Sequence, residues 1–290
     1  MRNNFKTLVL MAGLGALFVM VGTFVGGNSG AIIALGFAAL LNMGMYFFSA
    51  KIALASAKAR PVEERELPNV YSIVRSLTQR ENLPMPGIYL IDSPQPNAFA
   101  TGRSPKHAAV AVTTGILQMM DYAELEGVLA HELSHVRNRD ILISSIAATV
   151  AAALSILMRL AFWTGMGRDR RSNDPISGIV TILAFILAPL AAMVIQMAIS
   201  RSREYEADRS GATITGSPLA LARALEKLEA GTRQIPMQVS PSTAQLFIAD
   251  PLKAFGRRSG GMGTISRWFS THPPISERID RLSEMAGGIR

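Results

Sequence analysis

Charged residues are absent from long stretches of the chain, and these stretches predict membrane-spanning helices. The first stretch, Thr7–Ala50, has no charge in 44 positions, and the polar run Gly27–Gly30 divides it into two halves of membrane-spanning length. Ile141–Met158 is also uncharged and continues apolar past Arg159, and Pro175–Ser200 adds 26 more uncharged residues. The pattern predicts four transmembrane helices, at about 7–26, 30–50, 141–165 and 178–200.

Shorter periodic segments lie between and after these spans. Leu67–Arg80 repeats apolar residues at helical spacing, and Gly87–Ile91 has the composition of a short strand. The polar turn Arg103–His107 joins two further apolar runs, Asn97–Gly102 and Ala108–Thr113, which predicts a β-hairpin. Two more helices are predicted near the end of the chain, over Pro218–Leu228 and after His272-Pro273-Pro274.

Lysine and arginine residues at the ends of the spans predict the orientation in the membrane. They precede the first and third spans and follow the second and fourth, so all four flanks are expected on the cytoplasmic side. Arg168, Arg170 and Arg171 lie between the third and fourth spans, which is unusual for an outer loop. Two interpretations therefore remain open for the last two helices: both cross the membrane, or they form a hairpin that does not fully cross.

The spans divide the chain into four parts. Residues 1–50 hold two transmembrane helices, and residues 51–140 form the first part of a cytoplasmic domain, with the hairpin. Residues 141–200 hold two further hydrophobic helices, and residues 201–290 form the second part of that domain. A cleaved signal peptide is the alternative for the first span, but a second apolar span follows it instead of a cleavage site and a polar chain.

Composition agrees with a membrane protein and excludes some partners. Hydrophobic residues make up 49% of the chain and charged residues only 17%, which is more apolar than a typical soluble domain. The net charge of +8 is not concentrated in an aromatic-rich basic patch, so lipid headgroups are a better expected partner than nucleic acid. The chain has no cysteine, which excludes disulfides and thiolate metal ligands.

The segment His131-Glu132-Leu133-Ser134-His135 carries the clearest chemical signal. Positions four apart lie on one face of a helix, so the two imidazoles point at one spot, where they can bind a metal ion. Glu132 stays close enough to reach a water molecule at that ion and is a candidate general base. With only 4 His in the chain, about 0.002 such patterns are expected by chance, which argues against coincidence. Since no Gly or Pro interrupts Val128–Thr164, this helix is expected to continue directly into the bilayer.

The third metal ligand must come from elsewhere in the chain. A carboxylate is expected, because His107 lies in a polar turn and His272 precedes two prolines. Glu204 and Asp208 share a helix face four residues apart, so Glu204 could bind the ion while Asp208 hydrogen-bonds a ligand imidazole. Glu206 points elsewhere. On spacing alone, an ordinary charged helix end, in which arginines pair with these acids, is an equally good interpretation.

The predicted hairpin offers a place for a substrate. A strand edge beside the metal would let an extended peptide add to the sheet through the main chain of Asn97, Ala98, Phe99 and Ala100. A small structural sheet with no substrate role explains the same pattern equally well, and Asn97 could serve only to start a turn. His272 could hydrogen-bond the oxyanion, whereas the simpler interpretation is that it caps or packs against the final helix.

The motifs together resemble those of the HtpX-like membrane zinc endopeptidases. The similarity runs almost end to end and includes Asn97–Gly102, Ser200–Glu204 and His272-Pro273-Pro274. It implies a gluzincin-type protease of the bacterial inner membrane, which faces the cytoplasm and degrades damaged or misassembled membrane proteins in quality control and the stress response. It also favours Glu204 over Glu206 as the third ligand.

The resemblance implies a mainly α fold with a small β-sheet, in which a four-helix transmembrane part carries a cytoplasmic zincin-like metalloprotease domain. One zinc ion per chain would be held by His131, His135 and Glu204, with Glu132 as the proton carrier. The expected partners are protein substrates, chiefly membrane proteins, and the lipid bilayer.

Two alternatives are weaker on the sequence. A prenyl-peptide processing protease uses the same ligand pattern within a larger set of spans. A transporter or membrane scaffold with a vestigial metal site would need charges inside the spans, and only Arg159 qualifies.

Overall fold

Helices dominate the computed structural model, which describes residues 2–150, 201–256 and 273–288. This agrees with the predicted mainly α class with a small sheet. The helices are α1 (Arg2–Ser56), α2 (Pro68–Arg80), α3 (Thr114–Met119), α4 (Tyr122–Arg137), α5 (Asp140–Val150, where the first described range ends), α6 (Arg201–Thr215), α7 (Pro218–Gln234) and α8 (Ile275–Gly288), with single turns at Pro105–His107, Pro241–Ala244 and Lys253–Gly256. The strands are β1 (Arg60–Pro61), β2 (Gly87–Ile91), β3 (Ala98–Gly102) and β4 (Ala108–Thr113).

The N-terminal apolar segment consists of two helical arms. Helix α1 loses helical geometry at Gly26–Gly27, where the second glycine has a φ of 57°, a left-handed conformation that costs glycine little. The arms then pack against each other, since the ring centroids of Phe18 and Phe37 lie 5.3 Å apart and the Asn42 amide donates to the Met11 carbonyl at 3.1 Å. The break starts one residue before the polar turn that the sequence identifies.

The second arm, Gly26–Ser56, is 31 residues long, largely exposed and apolar enough to cross a membrane. Within the described ranges it is the one helix that meets this criterion; Met11–Met20 and Asp140–Val150 are shorter apolar helices. The predicted spans at 141–165 and 178–200 lie outside the described residues, apart from residues 141–150. The total of four spans therefore stays a prediction.

The four strands form one mixed sheet with the order β1-β2-β4-β3. Strands β3 and β4 are antiparallel, with Ala98 opposite Val112, which confirms the predicted hairpin. Strand β2 runs parallel to β4 and matches its predicted bounds, whereas β1 was not predicted. Among the described strands, β3 pairs only with β4. The main chain along its other edge therefore pairs with no described strand and can contact other parts of the chain.

The sheet separates two hydrophobic cores. Alternate residues of a strand point to opposite faces, so Val110 and Val112 pack in the core that includes Leu129 of α4. On the other face, residues Ala109 and Ala111 of β4 pack with the C-terminal end of α1. The end of the apolar segment is thereby attached directly to the sheet.

Helix α4 has well-defined ends. Asp121 and Glu124 form a capping box at its N-terminus, in which each side chain accepts a hydrogen bond from the backbone N–H of the other residue. The helix ends at Arg137, and Arg139 adopts a φ of 58° before α5 begins at Asp140. The expectation that the ligand helix continues directly into the apolar span is therefore wrong. The turn has a physical reason, because α4 packs against the sheet whereas α5 packs in a separate core with α1.

Helix α6 lies unusually close to α4. A Cβ atom added at Gly211 would lie 3.0 Å from the backbone nitrogen of His131, so only glycine fits without a shift of the helices. Arg137 of α4 also donates a hydrogen bond of 3.0 Å to the Ser210 hydroxyl of α6. This close approach places the first turn of α6 beside the His131-Glu132-Leu133-Ser134-His135 segment.

We predict that Gly211→Ala destabilises the protein by about 1–3 kcal/mol, because the added methyl group forces α6 away from α4. The matched control is Gly287→Ala in α8, where no atom lies within 4 Å of the added Cβ and no loss of stability is expected. Thermal unfolding of the purified proteins in detergent measures both. Equal unfolding temperatures for Gly211→Ala and the unmodified protein would contradict the predicted role of the close approach.

Candidate metal centre

Three potential metal ligands converge between α4 and α6. His131 and His135 lie on successive turns of α4, and their Nε2 atoms are 3.2 Å apart. Glu204, in the first turn of α6, lies opposite them, with Oε2 3.7 Å from Nε2 of His131 and Oε1 3.5 Å from Nε2 of His135. When one donor atom is taken from each residue, the three atoms lie within 4.8 Å of one another. The structure thus brings together the three residues that the sequence hypothesis requires.

The donor geometry fits a tetrahedral ion. Zinc–nitrogen bonds of about 2.0–2.1 Å place neighbouring ligand atoms about 3.3 Å apart in a tetrahedron. The separation of 3.2 Å between the two Nε2 atoms lies close to this value, and each Nε2 atom has one oxygen of Glu204 within 3.7 Å. Two imidazoles and one carboxylate also form a donor set typical of catalytic zinc, which leaves the fourth position to water or substrate.

The charges buried around these ligands also favour a cation. Among the described residues, four carboxylates and two guanidinium groups in this region are buried. Carboxylates therefore outnumber guanidinium groups among these buried residues, and buried carboxylates are costly without cationic partners. A bound cation would stabilise them. The carboxylates belong to Glu132, Asp140, Glu204 and Asp208, and the guanidinium groups to Arg203 and Arg278.

Asp208 and Arg278 support the first imidazole. The Asp208 Oδ1 atom lies 2.9 Å from Nδ1 of His131, which leaves Nε2 of that ring for a metal. Arg278, fully buried in α8, binds both carboxylate oxygens of Asp208, at 2.8 and 2.7 Å. Burial disfavours the charged carboxylate, but the charge and hydrogen bonds of Arg278 keep the pKa of Asp208 below its usual range.

Asp140 supports the second imidazole in the same way. Its Oδ2 atom lies 3.0 Å from Nδ1 of His135, and its Oδ1 atom lies 3.8 Å from Nη1 of Arg203. Asp140 reaches this position because the chain turns at Arg139 before α5 starts. Each imidazole thus has a carboxylate on Nδ1, and each carboxylate has an arginine nearby.

The two imidazoles differ in proton affinity. Burial lowers the pKa of His131 to about 4, although its hydrogen bond with Asp208 acts in the opposite direction. Burial also disfavours a charged His135, but the hydrogen bond with Asp140 and the nearby carboxylate of Glu204 outweigh it and raise its pKa to about 9. A metal ion at this centre must therefore compete with a proton for His135 and not for His131 at neutral pH.

Glu132 lies between the metal ligands and the sheet. Its side chain is buried, and burial raises the pKa of this carboxyl to about 8 in the absence of a bound cation. It accepts a hydrogen bond from the backbone N–H of Ala100 in β3. A carboxyl group that titrates near neutral pH can both accept and release a proton, as a general base must.

The structure places the four predicted substrate residues along β3 and just before it. The side chains of Asn97 and Phe99 are fully buried, so they do not present a surface to a ligand. The Asn97 amide instead hydrogen-bonds both the carbonyl, at 2.8 Å, and the N–H, at 3.3 Å, of Ala249. Phe99 packs edge-on against Phe247, with 4.9 Å between ring centroids.

Residues 247–249 thereby lie along the first part of β3. The Ala98 carbonyl accepts a hydrogen bond of 3.0 Å from the Ile248 N–H, while the Ala100 N–H faces Glu132. The main chain near Ala100 is therefore the part of this edge closest to the candidate base. The remaining predicted residue, His272, lies outside the described residues.

Sequence reasoning missed Asp140 and Arg278. On a continuous helix, Asp140 would point away from His135, so only the turn at Arg139 brings it close. Arg278 did leave a signal, since it lies on the face of α8 that also buries Ile275 and Leu282. An arginine within an apolar helix face indicates a buried charge with a specific partner.

Comparison with known proteins gives a consistent result. Residues 64–286 match the sequence profile of Peptidase family M48. A "Protease HtpX homolog" from Pelotomaculum thermopropionicum is 49% identical over 287 residues, which cover 98% of this chain and 99% of that protein. Proteins of the same name from Thermodesulfovibrio yellowstonii and Ralstonia pickettii are 52% and 51% identical, again over at least 98% of each chain.

A solved structure shares the fold. The crystal structure of S. mikatae Ste24p aligns with 97% of this chain and 65% of its own, with a TM-score of 0.53. The sequences are 20% identical, so this likeness bears on the fold alone.

We predict that Arg278→Met destabilises the protein by about 3–5 kcal/mol and weakens metal binding about 10–100-fold, because the buried charge of Asp208 loses its partner. The control is Arg233→Met, which removes an exposed ion pair with Glu229 worth about 0.3–0.5 kcal/mol. Thermal unfolding and competition with a chelator measure the two effects. Similar losses for both variants would contradict the role of Arg278.

Proposed function

The chain belongs to peptidase family M48 and is a metalloendopeptidase, and from this premise we propose that it is a zinc-dependent enzyme that hydrolyses damaged or misfolded membrane proteins at the cytoplasmic face of the bacterial inner membrane. The observation that carries this proposal is the convergence of His131, His135 and Glu204 beside the buried carboxyl of Glu132. This arrangement has no simple structural purpose, because it concentrates negative charge in the protein interior.

The proposal assigns the metal to the three converging residues. His131, His135 and Glu204 would hold one zinc ion per chain, and Asp208 and Asp140 would fix the orientation of the two rings. When bound, zinc supplies Lewis-acid chemistry, which polarises a carbonyl group and acidifies water. The donor set of two imidazoles and one carboxylate supports zinc over calcium or magnesium, which prefer oxygen ligands.

Glu132 is the proposed proton carrier of the hydrolysis. Its carboxylate would take a proton from the attacking water molecule and transfer it to the nitrogen of the leaving amine. The Ala100 N–H holds this side chain beside β3, where an extended substrate could add to the sheet edge. Main-chain pairing at this edge would make the enzyme tolerant of many sequences, as quality control requires. His272 stays the candidate for stabilising the oxyanion.

The membrane assignment rests on the apolar segments. The second arm of α1 is long and apolar enough to span a bilayer, and it ends at the face of the sheet opposite α4. Lys51, near the end of this arm, and Lys58, just after it, support a cytoplasmic position for the domain. The multi-pass arrangement with four spans, and the division into parts 1–50, 51–140, 141–200 and 201–290, belong to this proposal.

Membership of the family removes the alternative of a transporter or scaffold with a vestigial site. No feature of the described residues favours a prenylated peptide as the substrate. Cleavage assays with a misfolded membrane protein and with a prenylated peptide would separate these two substrate classes.

We predict that Glu132→Gln retains zinc but loses proteolysis about 10²–10⁴-fold, because the amide cannot accept the water proton. Glu204→Gln should instead lose the metal as well as the activity. The matched control is Glu206→Gln, which alters an exposed side chain on another face of α6 and should change neither.

Elemental analysis of the purified proteins and chelator-sensitive cleavage of an unfolded protein substrate in detergent provide the measurements. The proposed roles would be refuted by a Glu132→Gln variant that cleaves at the native rate. Full zinc retention by Glu204→Gln would also refute the ligand assignment.

A further inference from the structure

The turn between β3 and β4 reaches the membrane-spanning part of the molecule. We propose that this turn, residues 103–107 and here called the hairpin tip, binds anionic phospholipid headgroups and holds the end of β3 at the bilayer surface. This inference rests on the membrane location in the proposed function and adds a lipid contact surface to it. It also specifies where a substrate segment would leave the bilayer.

The first observation is a contact between the hairpin tip and α1. The Arg103 guanidinium lies over the ring of Phe47, 4.9 Å from its centroid. Phe47 is 47% exposed and lies in the apolar arm of α1, four residues before Lys51, the first charged residue of that arm. Four helical residues correspond to about 6 Å, so the hairpin tip extends past the charged end of the span toward its apolar part.

The second observation is the packing of β3 against α5. The hydroxyl groups of Thr101 and Ser145 are 2.7 Å apart, and both are buried. A Cβ atom added at Gly102 would lie 3.0 Å from Cδ1 of Ile141, at the start of the next apolar segment. The end of β3 therefore lies between the apolar helices α1 and α5.

The third observation is the sign of the charges near the hairpin tip. Arg103 and Lys106 are basic, and no acidic residue occurs in the sequence before Glu63 or between residues 93 and 120. In the described ranges, neither Arg103 nor Lys106 forms an ion pair with an acidic side chain. Lys106 is exposed, and an uncompensated basic turn beside an apolar helix is complementary to anionic headgroups.

This placement has a consequence for the substrate. Ala100, whose N–H contacts Glu132, is only two residues from Gly102, which corresponds to about 7 Å along a strand. If Gly102 lies at the bilayer surface, the candidate base Glu132, which contacts Ala100, lies close to that surface. A substrate strand paired with β3 would then be cleaved close to the point where it emerges from the membrane.

The absence of cysteine allows a direct test with single labelled sites. His107→Cys, which keeps both basic residues of the hairpin tip, and the control Tyr122→Cys, at the exposed N-terminal end of α4, each receive a bimane label in the full chain. Both proteins are reconstituted in phosphatidylcholine vesicles with or without phosphatidylglycerol, and with a nitroxide on the lipid headgroup. We expect several-fold stronger quenching at position 107 than at 122, and a further increase when phosphatidylglycerol is present.

Equal quenching at positions 107 and 122 would overturn the inference, and so would quenching at 107 that does not respond to phosphatidylglycerol. Loss of metal-dependent cleavage by the unmodified protein would instead count against the proposed function. The labelling result does not depend on activity, so the two failures can be distinguished.

Charge reversal tests the effect on substrate. Lys106→Glu should reduce cleavage of a membrane-anchored substrate several-fold in vesicles that contain phosphatidylglycerol, and leave cleavage of a soluble unfolded peptide in detergent unchanged. Arg65→Glu, which reverses a charge that is 82% exposed and lies outside the hairpin tip, should change neither. Native cleavage of the membrane-anchored substrate by Lys106→Glu would overturn the inference.

Discussion

The structure depends on the compensation of buried charge between α4 and α6. Of the residues that the structure describes, four carboxylates and two guanidinium groups are buried in this region, a combination that would destabilise the fold if any member lacked a partner. Arg278 of α8 contacts this cluster through its hydrogen bond with Asp208. Asp140, at the start of α5, contacts it through its hydrogen bond with His135. The excess of carboxylates over guanidinium groups among these residues favours the binding of a cation such as the proposed zinc ion. Folding and metal binding are therefore expected to be coupled in this protein.

Local backbone features make this arrangement possible. Gly211 allows α6 to approach the backbone of α4 at His131, and the turn at Arg139 returns the chain so that Asp140 meets His135. The hydrogen bond between Ala100 and Glu132 then connects the cluster to the edge of the sheet. The metal centre, the candidate base and the proposed substrate edge are thus parts of one packed unit, and the end of the second arm of α1 packs on the opposite face of its sheet.

The sequence predicted what depends on local pattern and missed what depends on long-range packing. The bounds of β2 and the β3–β4 hairpin follow from short apolar runs and turn residues, and the structure confirms them. The pairing of His131 with His135 follows from helix geometry, whereas the choice of Glu204 needed the resemblance to a known family. Asp140 could not be identified, because the sequence around it contains no Gly or Pro to mark the turn. Arg278 was missed because its partner lies 70 residues away in the chain.

The central claim is that His131, His135 and Glu204 share one zinc ion. X-ray absorption at the zinc edge of the purified, unmodified protein tests this most directly. The account predicts a four-coordinate ion with two imidazole nitrogens and carboxylate or water oxygens at about 2.0–2.2 Å. A first shell of oxygen atoms alone, without imidazole scattering, would contradict it.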